Sequence, residues 1–146
     1  MAKQDYDLIV VGSGAGALLG AIRAQEQGLK TLLIEKTELF GGTSALSGGG
    51  IWIPLNYDQK NAGIQDDLDT AFSYMKRCVR GMASDERVLA YVETANKMAE
   101  YLRQIGIPYQ CIPKYADYYP HIKGSMPGGR TMDPVDFNAA KLGLPA

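Results

Sequence analysis

The residues richest in chemical meaning here are the ones with almost no side chain. Gly12, Gly14 and Ala17 fall in "GSGAGA" at the spacing that carries a strand into a helix around a pyrophosphate. Gly12 allows a tight turn, Gly14 lets backbone approach phosphate oxygens, and Ala17 lets helix and strand pack closely. The helix that follows presents unpaired N–H groups and a partial positive charge to an anion. Glu35 ends the next apolar run, in position to accept hydrogen bonds from the hydroxyls of an adenosine ribose. The same carboxylate would repel a 2′-phosphate, which disfavours NADP.

The elements that must hold these residues are legible around them. Tyr6–Val11, "YDLIVV", reads as a strand buried on both faces of a parallel sheet. "ALLGAIRAQEQG" reads as a helix with Leu18, Ala21, Ile22 and Gln25 on one face, closing at Gly28 where a C′ residue favours positive φ. "KTLLIE" is a second strand, completing a βαβ unit of about thirty residues. A crossover whose glycines serve only packing would explain Gly28. It would not explain why glycines alternate at the first turn.

A second bare stretch follows at once. Gly41 and Gly42 remove side chains, Thr43, Ser44 and Ser47 offer hydroxyls, and Gly48, Gly49 and Gly50 clear space again. Such a segment can lie along a long ligand, its N–H groups meeting pyrophosphate, ribityl chain or ring edge. Glycine and serine clusters often mean only a loop. Here Leu39, Phe40, Leu46, Ile51, Trp52 and Ile53 flank the glycines and are expected to anchor the stretch against a core.

Composition narrows the classes. The 146 residues are 46% hydrophobic and 21% charged with net charge −1, ordinary globular values with no basic stripe for nucleic acid. Cys78 and Cys111 are far apart and His121 is the only histidine, so no zinc site or disulfide framework is expected. A reduced, cytoplasmic setting is the plain reading. The uncharged run Leu8–Ile22 falls short of the ~20 residues a bilayer span needs, and glycines interrupt it.

On "GSGAGA…IEK…FGGTSALSGGGIWIP" the sequence resembles the N-terminal part of the fumarate reductase/succinate dehydrogenase flavoprotein superfamily, most closely its 3-ketosteroid Δ1-dehydrogenases. The resemblance implies FAD as cofactor, contacted by Gly12, Ser13, Gly14, Ala15, Gly16, Ala17, Glu35, Lys36, Gly41, Gly42, Thr43, Ser44, Ser47, Gly48 and Gly49. Members with covalent flavin carry a histidine in this stretch. Gly42 stands at about that place, which implies non-covalent FAD.

Further along, "DDLDTAFSYMKRCVR" predicts an amphipathic helix over 66–80 with Leu68, Phe72, Met75 and Val79 on one stripe. A second helix starts at the cap Ser84, buries Val88, Val92, Ala95, Ala99 and Leu102, and ends at Gly106. Met75, Met98, Tyr74, Tyr91 and Tyr101 read as packing, and Cys78 as a small packing residue. From Pro113 the chain is rich in proline, glycine and tyrosine without periodicity, which in a compact domain points to a functional loop. "ADYYP" places Tyr118 where the steroid dehydrogenases resembled above carry a pocket tyrosine, so the resemblance implies a catalytic role for Tyr118. Arg130, in "GGRT", is expected to help hold the loop.

The expected fold class is α/β: a Rossmann-like FAD-binding βαβ unit with the second glycine segment (1–56), a helical segment with a following strand (57–112), and the start of a substrate-domain loop (113–146). The resemblance covers essentially the whole chain, yet those families run several times longer, so the chain reads as an N-terminal fragment whose partner is the remaining part of the enzyme. The implied reaction removes a C2 proton from a 3-ketosteroid and passes hydride from C1 to flavin N5; the electron acceptor is left open. A flavoprotein acting on another enoate or ketone, or a non-catalytic dinucleotide-binding module, are the alternatives.

Overall fold

The computed structural model describes residues 5–136, 138 and 143. The first four residues and the tail of the third segment lie outside it. The chain separates into two units, 1–49 and 50–146.

In the first unit β1 (Leu8–Val11) and β2 (Thr31–Ile34) pair in parallel, Leu8 opposite Thr31 and Val11 opposite Ile34, with α1 (Ala15–Glu26) between them in sequence. Gly28, at φ 82°, ends α1 as expected. Its N–H donates to Gln25 O and that of Leu29 to Ala24 O, the paired bonds of a Schellman stop. A short helix, α2 (Gly42–Leu46), follows.

One expectation fails here. β1 is not buried on both faces: Ile9 is 56% and Val11 78% exposed. A parallel strand is covered on both sides only when helices flank the sheet on both sides, and within this unit two strands share α1. Leu39, Phe40 and Leu46 are likewise exposed rather than anchored.

The second unit is built on a three-stranded antiparallel sheet in the order β3–β5–β4, from β3 (Ile51–Trp52), β5 (Thr131–Pro134) and β4 (Tyr109–Cys111). β3, grouped above with the first segment, pairs here with β5, Trp52 opposite Thr131. Two helices, α3 (Leu68–Val79) and α4 (Asp85–Gln104), complete the unit. Asp67 caps α3 by accepting from Thr70 N, and Ser84 caps α4 by accepting from Arg87 N. The core joins Ile53, Ala95, Ala99 and Met132, with Tyr57 and Met98 packed against it.

The stripe expected on α4 is the buried one at Val88, Val92, Ala95 and Ala99. On α3 the buried face is turned from the expected one and carries Ala71 and Tyr74, while Leu68 is exposed. Tyr74 is drawn inward because its hydroxyl accepts from Tyr119 N at 3.1 Å.

Candidate functional site

In the first unit the two glycine stretches meet. The cap of α1 is Gly14, which offers no side-chain acceptor, so the helix's opening N–H groups are left without the usual capping oxygen. Ala15 N instead donates to Ser44 Oγ at 3.1 Å, across from the second stretch. A Cβ on Gly42 would come within 3.8 Å of Gly14 backbone. Gly41 is buried, sits at φ 106°, and donates its N–H to Ser13 Oγ at 2.8 Å. Only glycine suits that position, since a Cβ there would fall 2.6 Å from that of Ala45.

Glu35 closes this network. Its Oε2 accepts from Ser13 N at 3.0 Å and from Ser13 Oγ at 2.5 Å. Its Oε1 accepts from Lys36 N at 2.8 Å and Thr37 N at 3.1 Å. The Ser13 hydroxyl above all, then the backbone N–H of Thr37, holds the carboxyl down at about 2 against an ordinary 4.5. The group is ionised at any physiological pH.

These residues fit a flavin dinucleotide. A side chain on Gly12 or Gly16 would meet no protein atom within 4 Å, so the space beside the α1 turn is open and their bareness keeps it open. An ionised acid ends β2, and helix N–H groups start the next element after β1. Ser13, Gly14, Ala15, Glu35, Gly41, Gly42 and Ser44 are brought together. Lys36 and Thr43 are exposed, the latter on α2. Ser47 makes a turn of its own, donating to Ser44 O and accepting from Gly49 N, with Gly48 exposed beside it.

In the second unit, Trp52, Tyr74, Met75, Tyr91, Tyr118 and Tyr119 line an apolar pocket of about 280 Å³. Tyr118 is 80% exposed at its edge and meets Tyr119 ring edge to face, with centroids 5.1 Å apart. Trp52 stacks on Tyr91 at 6.3 Å. Burial pushes the Tyr74 phenol up to about 12, with the N–H of Tyr119 acting the other way. Burial also raises Tyr91. Neither is disposed to ionise. Tyr74 and Tyr91, read from sequence as packing, are therefore also wall residues of a pocket, as is Cys78.

Behind the pocket lies a buried cluster that spacing did not reveal. Arg130 grips Asp66 with two bonds, Nε to Oδ2 at 2.9 Å and Nη2 to Oδ1 at 2.7 Å. Its Nη1 reaches Asp117 Oδ2 at 2.8 Å and Gly124 O at 2.9 Å. Asp117 also accepts from Trp52 Nε1 at 2.7 Å and Met126 N at 2.9 Å. The guanidinium lies 5.6 Å from the Trp52 ring and 5.7 Å from that of Tyr74. The expected loop-holding role of Arg130 is thus met by the two acids. Asp66 lies near the start of α3 and Asp117 directly precedes Tyr118 in "ADYYP", but nothing in the spacing of either announces Arg130 as its partner. His121 is exposed and touches Tyr119 ring to ring at 6.2 Å. Among the described residues no cluster suits a metal ion, and no helix is long and apolar enough to cross a membrane.

Comparison with known proteins agrees with the cradle. The chain is 83% identical over 146 residues to the 3-oxosteroid 1-dehydrogenase of Comamonas testosteroni, covering all of this chain and 26% of that protein. The crystal structure of 3-ketosteroid Δ1-dehydrogenase from Sterolibacterium denitrificans, in complex with 1,4-androstadiene-3,17-dione, superimposes with a TM-score of 0.83. The match has 48% identity and covers 94% of this chain and 24% of that one. A flavocytochrome c3 fumarate reductase shares the fold, at 20% identity and a TM-score of 0.77, over 92% of this chain and 22% of that one. The chain thus spans about a quarter of the length of the curated relative it matches. The FAD binding domain family matches residues 7–144, and with the glycine cradle and its ionised acid in place, the chain belongs to that family and its cofactor is FAD.

Proposed function

We propose that this chain is the FAD-binding portion of a 3-ketosteroid Δ1-dehydrogenase, holding its flavin without a covalent bond. The observation that carries the reading is the 83% identity to the Comamonas testosteroni enzyme over all 146 residues. The aromatic pocket supports it, since a wall of flat apolar rings suits a fused-ring substrate better than a small dicarboxylate.

In this reading α1 directs its N-terminal N–H groups at the pyrophosphate and Glu35 accepts from the adenosine ribose. Gly41, Gly42, Thr43, Ser44, Ser47, Gly48 and Gly49 run beside the rest of the cofactor, with Lys36 next to the ribose. Gly42, in place of a histidine, supplies no attachment point. Bound FAD supplies the hydride acceptor. Tyr118, its ring set edge to face against Tyr119, contacts the steroid and takes part in proton removal together with a second tyrosine from the remaining sequence. The remaining machinery comes from sequence of the kind that makes up the other three quarters of the relatives. Two unpaired thiols, Cys78 and Cys111, support a reducing, cytoplasmic setting.

The test is a chimera in which this chain replaces the matching quarter of the Comamonas enzyme. It should purify yellow and dehydrogenate a 3-ketosteroid at C1–C2, followed by bleaching of a dye acceptor. A yellow chimera inert towards steroids but active on another enone or enoate would overturn the substrate assignment.

A further inference from the structure

Ser13 was expected to contact the cofactor, but its side chain is spent on protein. It is 1% exposed, accepts from Gly41 N at 2.8 Å, and donates to Glu35 Oε2 at 2.5 Å. A serine hydroxyl has one proton to give. With Gly41 N–H donating into its oxygen, the rotor is left to aim that proton at the carboxylate. The result is a directed chain, Gly41 N–H to Ser13 O–H to Glu35, in which each bond polarises the next.

We propose that Ser13 is a positioning residue: it orients the Glu35 carboxylate that receives the adenosine ribose, and it registers the second glycine stretch on the first through Gly41. The inference rests on the ribose role given to Glu35 above. Ser13 N and Oγ hold one oxygen while Lys36 N and Thr37 N hold the other, so the orientation is set from both ends, and the half-buried carboxylate takes a ribose hydroxyl by exchanging one of these donors for it. The leading causes of the lowered titration of Glu35 are the Ser13 hydroxyl and the backbone N–H groups of Thr37, Lys36 and Ser13. Of these, only the Ser13 hydroxyl can be removed by changing one side chain without disturbing the backbone.

The experiment uses the whole 146-residue chain, with Ser13→Ala, Ser13→Cys, Glu35→Gln and the Ser13→Ala/Glu35→Gln pair. Carboxyl NMR titration without cofactor should move Glu35 from about 2 up towards 4.5 in both Ser13 variants. The cysteine, close in volume and a weak donor, guards against a mere cavity effect. FAD titration should show roughly tenfold weaker binding for Ser13→Ala, as for loss of a hydrogen bond to a charged group. That loss should deepen below about pH 5, where the wild type stays flat. In the Glu35→Gln background the same substitution should cost less than about threefold, within ordinary additivity error. An unmoved Glu35 titration, or an equal loss from Ser13→Ala in both backgrounds, overturns the positioning role while leaving the ribose reading intact. A Glu35→Gln chain that takes up FAD like the wild type, or a wild-type chain that takes up none, overturns the ribose reading and the inference with it.

Discussion

Arg130 Nη1 lies 2.8 Å from Asp117 Oδ2, and the two side chains are 0% and 1% exposed. With Asp66 equally buried on the other side of the guanidinium, one cation pairs with both acids, and neutral donors such as Trp52 Nε1 and Met126 N support the negative charge left over. Asp117 immediately precedes Tyr118, so this cluster fixes the backbone from which the pocket tyrosine projects. Arg130→Met should therefore cost about 3–5 kcal/mol, because it strands two buried carboxylates. Arg130→Lys should recover little, having no fork to grip Asp66 at two points. Urea unfolding of the three proteins measures this. A loss under about 1 kcal/mol for either variant would mean that the acids find water.

Glu35 gives a pH signature. Its carboxyl titrates at about 2 in the folded chain and near 4.5 when unconstrained. A depressed folded value means the contribution to stability is fully present above about pH 4.5 and is lost as pH falls towards 2. Compared with Glu35→Gln, the wild type should hold a constant stability advantage from neutral pH to about 5. The gap should then close on further acidification, read as converging denaturation midpoints. A gap that stays constant down to about pH 2 would show that the donors from Ser13, Lys36 and Thr37 do not hold the carboxylate.

Much of the cradle was legible because its signals are local. Gly12 and Gly28 are demanded by positive φ within a few residues, Gly14 stands at the spacing of the turn, and Glu35 at the end of one strand. What escaped was long-range. β5 (Thr131–Pro134) went unread because it lies in a stretch without periodicity, and its Pro134 sits at the strand's end, opposite Tyr109, where a proline is tolerated. Arg130 and Asp66 are far apart in sequence, and nothing in their neighbourhoods announces a partner. The face of α3 was misjudged for the same reason. Apolar spacing favoured Leu68 and Phe72, while the inward pull on Tyr74 comes from Tyr119 and Arg130, on a loop that carries no periodicity. The exposure of Val11 shows the limit from the other side, since a strand's composition reports the environment it suits and not the layers a given stretch supplies.

Gly41 and Gly48 are both bare residues of the second stretch, but the fold asks different things of them. Gly41 is at positive φ, with a Cβ position 2.6 Å from that of Ala45. Gly41→Ala should cost at least about 1–2 kcal/mol from the left-handed backbone alone, and more as α2 shifts to relieve the contact. At Gly48 an added Cβ meets nothing within 4 Å. Gly48→Ala should leave thermal stability within about 0.5 kcal/mol of the wild type. Equal effects of the two substitutions would show that Gly41 does not adopt the backbone seen here.

Under the proposed function, Tyr118 and Tyr74 divide chemistry from support around the pocket. Tyr118 is exposed at the edge, while Tyr74 is buried behind it and accepts the N–H of Tyr119. Burial pushes the Tyr74 phenol to about 12, so it stays protonated where enzymes normally work and cannot generate an alkaline limb at neutral pH. In the Comamonas chimera, Tyr118→Phe should lower kcat by about a hundredfold, the scale of a lost proton-handling group, with flavin absorbance unchanged. Tyr74→Phe removes one hydrogen-bond acceptor from a loop that Asp117 and Arg130 still hold. It should cost less than about tenfold and leave the pH–rate profile where it was. Steady-state rates across pH for both variants provide the comparison. If Tyr74→Phe moved the alkaline limb while Tyr118→Phe left turnover intact, the two roles would have to be exchanged.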